Sequence, residues 1–202
     1  MRTITGLFDS HDDAAAAVRS LKDAGVPGDD ISIVANNSDG SYDDNDDDVA
    51  EGAGAGAGVG AVVGGAGGLL AGLGMLAIPG VGPVVAGGWL LATAIGAVTG
   101  AAVGGAAGGL IGALQDAGVE ERDAHVYAEG VRRGGTLVTA RVEDSKADAA
   151  HAILRDASPV DIESRRRDYE AGGWDGFDES AEPYTPDQVR DYRSTIIPPM
   201  IR

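Results

Sequence analysis

The chain opens on alternating residues. RTITGLF interleaves β-branched and small positions and predicts a strand over Thr3–Phe8. In SHDDAAAAVRSLKDAG the period changes to that of a helix, with Ala14, Ala17, Val18 and Leu21 on one face. Ser10 is its expected N-cap, Asp12 and Asp13 complement the dipole in the first turn, and Gly25 stops it. VPGDD turns, and ISIVA predicts a second strand, Ile31–Ala35.

Similar patterns return after a long uncharged middle. VEERDAHVYAEGVRRGG predicts a helix ending near Gly134, and TLVTARV a third strand, Thr136–Val142. DSKADAAHAILRDAS predicts a helix that buries Ala149, Ala152, Ile153 and Leu154, and PVDIES a short fourth strand. With the middle set aside, the order is β-α-β followed by β-α-β. That order implies an α+β, ferredoxin-like βαββαβ domain built from residues 1–38 and 119–166, with two helices on one face of a four-stranded antiparallel sheet.

The middle has its own periodicity. No ionisable residue occurs from Gly52 through Gln115. Pro79, Gly80, Gly82 and Pro83 form the expected turn, dividing the stretch into arms of Gly52–Ile78 and Val84–Leu114. Gly52, Gly56, Gly60, Gly64, Gly68 and Gly72 recur every fourth residue in the first arm. Gly96, Gly100, Gly104, Gly108 and Gly112 do so in the second, with Gly88 and Ala92 extending the row. On a helix such a row lies along one stripe, where a second backbone can approach closely. The expectation is therefore an inserted glycine-zipper helical hairpin over 52–118. Six glycines cost an arm about 5 kcal/mol relative to alanine, so it needs lipid or close packing to stay helical. At 1.5 Å per residue each arm would span about 40–45 Å, enough for a bilayer core of about 30 Å.

Charge qualifies this picture. The net charge is -17, which disfavours nucleic acid as a partner and offers no basic attraction to anionic lipid heads. Acidic residues flank the apolar stretch (Asp46, Asp47, Asp48 and Glu51 before it; Asp116, Glu120 and Glu121 after it), and only Trp89 resembles an interfacial anchor. Cysteine is absent, and the N-terminus has no apolar run of signal-peptide length, so secretion is not expected.

Candidate chemistry is sparse. His11, His125 and His151 fall on separate predicted elements without metal-ligand spacing. There is no nucleophile elbow and no phosphate-loop lysine. In DGSYDDNDDD, Asp43, Asn45 and Asp47 alternate as in a calcium loop, but Asp48 stands where glycine belongs and Gly54 where glutamate belongs. Residues 39–51 therefore read as an acidic linker, and no catalytic, metal or cofactor site is expected. The tail, 167–202, holds Tyr169, Trp174, Phe177, Tyr184 and Tyr192, and its TPDQVRDYR carries a capping box from Thr185 to Gln188. It is expected to dock on its own domain or on a neighbouring subunit.

Five segments carry a resemblance: ITGLFDSHDDAAAAVRSLKDAGV, GMLAIPGVGPVVAGG, GAAGGLIGAL, YAEGVRRGGTLVTARV and VDIE. In these the chain resembles bacterial general stress proteins with a heat-induced stress protein domain of the YflT type. The resemblance implies a stress-linked, non-catalytic protein and brings no catalytic residues with it. Taken with the apolar arms, it leads us to expect self-association and membrane engagement through the hairpin, with the acidic domain on the cytoplasmic side. The alternatives are a soluble cytoplasmic assembly of packed hairpins (shell, tube or ring) and a small-ligand sensor using the sheet face.

Overall fold

A computed structural model describes residues 1–38, 40, 74–90 and 109–196. Among the described residues five strands form one antiparallel sheet: β1 (Arg2–Phe8), β2 (Ile31–Asn36), β3 (Gly74–Ile78), β4 (Gly82–Gly87) and β5 (Thr136–Val142), in the order β1-β5-β2-β4-β3. Thr5 pairs with Thr139, Ile33 with Val138, Val34 with Ala86, and Met75 with Val85. Strands β1 and β2 therefore run parallel with β5 between them, a split β-α-β arrangement. Among the described residues six helices accompany the sheet: α1 (His11–Asp23), α2 (Leu110–Asp116), α3 (Glu121–Arg132), α4 (Ala147–Asp156), α5 (Ile162–Ala171) and α6 (Pro186–Ile196).

The sheet is covered on both faces. On one, α1 and α4 bury Ala14, Val18, Leu21 and Leu154 against Ile4, Phe8 and Val138. On the other, α2 and α3 bury Leu114, Tyr127 and Val131 against Leu7, Val34 and Leu137. Nearly every position of ISIVAN and TLVTARV is therefore buried, the polar Ser32, Asn36, Thr136 and Thr139 included, as expected of strands covered on both faces. This cover also corrects the expectation of helices on one face only. The helix α3 has an apolar stripe of its own (Ala124, Tyr127, Ala128 and Val131), which requires a second sheet surface.

Two further expectations are corrected. Residues 159–164 do not form a fourth strand. Val160 N–H makes a single bond to the Leu7 carbonyl at 2.8 Å. Asp161 then accepts the Ser164 amide at 2.7 Å and caps α5, taking the chain out of extended conformation. Nor are Gly74–Ile78 and Gly82–Gly87 the adjoining ends of two helical arms. They are strands, because pairing of β4 with β2 gives Val84 and Ala86 a buried site that a solitary glycine-rich helix lacks.

Candidate functional site

The most elaborate side-chain network surrounds the C-terminal end of α3, in the motif EGVRRGG (Glu129–Gly135). Glu129 is fully buried. It accepts from Arg133 Nε at 2.6 Å and from Arg132 Nη1 at 3.4 Å. Spacing of three and four residues puts both guanidiniums within reach of one carboxylate on the helix. Arg133 also lies over the Tyr169 ring, 4.2 Å from its centroid, and Arg132 lies over Tyr184 at 4.8 Å. Burial pulls Arg133 down, but its bond to Glu129 and the surrounding charges hold it above the ordinary arginine value. Gly130 faces Leu7 so closely that a Cβ there would overlap its side chain.

The tail completes this network. Gly134 (φ +105°) turns the chain out of α3, and its carbonyl accepts from Arg193 Nη2 at 2.8 Å and Nε at 3.1 Å. Val189 of α6 is fully buried, and a Cβ on Gly134 would stand 2.7 Å from its Cγ1. Helix α6 starts on its capping box: Thr185 N–H donates to Gln188 Oε1 at 2.8 Å, and Gln188 N–H to Thr185 Oγ1 at 3.3 Å. Helix α5 is clasped by two arginines. Arg165 makes a bidentate pair with Asp9, at 2.9 and 2.6 Å, and Arg166 reaches Asp123 at 2.5 Å. Burial raises Tyr169 well above the ordinary phenol range.

The tail also crosses the β3–β4 turn. Gly80 faces the backbone of Asp178 and Glu179, and Gly82 faces the Pro183 ring. Phe177 enters the core, and its amide donates to His125 Nδ1 at 3.1 Å. Burial raises Glu179, with the nearby His125 acting against the shift. Beside this contact lies an open groove of about 530 Å³ between the start of α3 and the end of α5, walled by Arg122, His125, Arg166, Glu170 and Trp174. Four carboxylates border it, those of Glu120, Glu121, Glu170 and Asp175, so the groove holds no net positive field for an anion. Among the described residues no cluster of histidine, aspartate or glutamate is arranged to hold a metal.

The sequence-predicted positions separate in the structure. Pro79, Gly80 and Gly82 lie in the turn and at its exit, and Pro83 lies in β4, so the segment joins two strands. Gly88 adopts φ +90°, where a Cβ would overlap the Ile31 carbonyl oxygen. It redirects the chain so that Leu90 N–H bonds Ser32 Oγ at 2.8 Å. Gly112 lies in α2, half-buried. Gly52, Gly56, Gly60, Gly64, Gly68, Gly72, Gly96, Gly100, Gly104 and Gly108 lie outside the described residues, as does nearly all of the acidic linker. The three histidines are on α1, α3 and α4. Sequence reasoning missed the role of Glu129 and the whole of α5. The available signals were the two arginines three and four residues beyond a glutamate, and an aspartate three residues before Ser164.

Residues 3–79 match the family described as Heat induced stress protein YflT domain. These residues carry a YflT domain. The match runs from β1 through α1 and β2 to the beginning of the β3–β4 turn. The domain marks the chain as a stress-associated protein. Comparisons with curated proteins and with solved structures return no match.

Proposed function

We propose that this is a non-catalytic stress-associated protein that self-associates through its two glycine-rich apolar stretches, 52–73 and 91–108, without crossing a bilayer. The observation that carries this reading is the place where each stretch leaves and rejoins the described fold. The chain exits after β2 and returns as β3, and β2 and β3 flank β4 in one sheet. A single crossing between them would put paired strands on opposite sides of a membrane. Two crossings need roughly 40 residues, more than the stretch 41–73 contains. The same reasoning applies to 91–108, which connects β4 to α2 within one core. No helix among the described residues is long and apolar enough to cross a membrane.

Burial of small-residue rows against other copies would offset the roughly 0.8–1 kcal/mol that each helical glycine costs. The acidic surface then keeps such assemblies apart from one another and from nucleic acid. Non-catalysis rests on the sequence, which has no nucleophile motif and no metal-ligand spacing. The test is light scattering of the full chain in detergent-free buffer, beside a carbonate wash of a membrane fraction. A multimeric particle that shrinks in a Gly64→Leu/Gly104→Leu variant is the expected result. An unchanged particle in that variant overturns zipper association, and retention in the pellet after carbonate overturns the non-spanning reading.

A further inference from the structure

Two features meet at the start of the tail. Phe177 is one of the few tail side chains placed in the core, and its amide bonds an imidazole instead of a backbone carbonyl. In that bond Nδ1 of His125 is the acceptor, so the ring is neutral and carries its proton on Nε2. A protonated imidazole has no acceptor at all. The Phe177 amide and a proton therefore compete for one lone pair.

We propose that residues 174–196 form a strap whose closure over the β3–β4 turn is set by protonation of His125, so that mild acid opens it. Closure requires a free lone pair on Nδ1, and binding a proton there leaves N–H facing N–H. By linkage the strap is held while Nδ1 is free to accept and is released when acid places a proton there. The surroundings admit the added charge. Glu120 at the N-cap and Glu121 and Arg122 of α3 border the ring's groove, as do Arg166 and Glu170 from α5 and Asp175 from the strap. Glu179, also on the strap, acts on His125 electrostatically. Carboxylates outnumber guanidiniums there, so protonation meets little repulsion.

Opening has a defined consequence. Phe177 leaves the buried cluster that also holds Ile78 and Val81, and its ring and the backbone of Asp178 and Glu179 lift off Gly80. That uncovers an apolar patch around the turn, in a protein already assigned to stress. The inference does not depend on self-association or on membrane topology, because it uses only contacts within one chain.

The test is amide hydrogen exchange on the full chain, corrected for the intrinsic effect of pH, at about pH 7.5 and about pH 5.5. Strap peptides, 174–189, are expected to exchange about ten-fold faster at the lower pH, the equivalent of one lost hydrogen bond, with β5 peptides unchanged. A His125→Asn variant places an amide oxygen near the Nδ1 position and does not titrate. Its strap should lose the pH dependence, whatever its absolute rate. The exposed His151→Asn variant should keep it, as should Glu179→Gln. A wild-type strap indifferent to pH overturns the proposal, and so does an undiminished pH response in His125→Asn.

Discussion

Replacing Glu129 by glutamine removes one charge from between two guanidiniums and leaves the shape nearly unchanged. The glutamate side chain is 1% exposed, and those of Arg132 and Arg133 are 15% and 19% exposed. Each charge-assisted hydrogen bond to a buried carboxylate contributes about 1.5–3 kcal/mol. Glutamine keeps one carbonyl acceptor, so the 2.6 Å bond from Arg133 survives in weaker form. The 3.4 Å approach of Arg132 then faces an amide N–H. Some of the loss is recovered elsewhere, because Arg133 still lies over Tyr169 and Arg132 still donates to the Glu182 carbonyl at 2.9 Å. The net expectation is a loss of about 2–4 kcal/mol, or about 5–15 °C in Tm for a chain of this size. Urea unfolding followed by circular dichroism measures it, with the slope held constant between variants. A loss below about 1 kcal/mol would mean that the rings and carbonyls hold the two arginines unaided. The account of EGVRRGG as a buried charge cluster would then be wrong.

Two other predictions concern the same region. Burial, with a smaller contribution from Asp123, pushes Tyr127 up to about 12 from 10.0, and burial raises Tyr169 as well, so neither should ionise in the ordinary phenol range. Because both are raised in the folded state, their contribution to stability is complete below pH 10 and is lost as pH rises from there. Absorbance titration near 295 nm should show a late step coincident with unfolding, and ionisation of all five tyrosines in one step near 10 would refute it. Val189→Ala removes two methyl groups from a fully buried site on α6, at about 2 kcal/mol. Exchange in 186–196 should accelerate about thirty-fold while exchange in β5 stays the same, and equal acceleration in both would show that the tail is not a separate unit.

The legible parts of the fold are those where period and punctuation agree. Strand β1, helix α1 and strands β2 and β5 follow their apolar patterns; helix α4 forms as expected but buries Ala147, Ala150 and Leu154, leaving Ala149 exposed and Ala152 and Ile153 half-buried, because the stripe that meets the sheet is rotated from the one expected. The Ser10 cap receives the Asp13 amide at 3.5 Å, and the Thr185–Gln188 box forms. The β3–β4 hairpin was hidden because glycine, alanine and valine suit a small-residue helix and a buried strand alike. Only pairing with β2 distinguishes the two, and a pairing partner distant in sequence leaves no local mark. Helix α5 was hidden for the opposite reason. IESRRRDYEA has one buried residue, Tyr169, and is held in place by salt bridges to Asp9 and Asp123 instead of by an apolar stripe. The tail's docking was expected from its aromatics, but its socket was not, since Glu129 reads as an ordinary exposed helix position.

That socket bears on how EGVRRGG itself is interpreted. A dense run of charge and glycine invites a ligand site, yet the polar groups at both ends of the run are taken up by the fold. Glu129 holds Arg132 and Arg133, and Gly135 N–H closes on the Gly130 carbonyl at 2.9 Å. Gly134 gives its carbonyl to Arg193. The two glycines at 134 and 135 bring the chain tightly around the end of α3, and Gly130 lets that helix settle on Leu7. The motif thus specifies where the tail is received, and a free anion would find its cations already committed to Glu129 and the tyrosine rings. The tail's free end of adjustment lies instead at Phe177, where a titratable ring replaces a backbone acceptor. A strap anchored firmly by α6 and lightly by His125 will open first at its N-terminal part, over the β3–β4 turn.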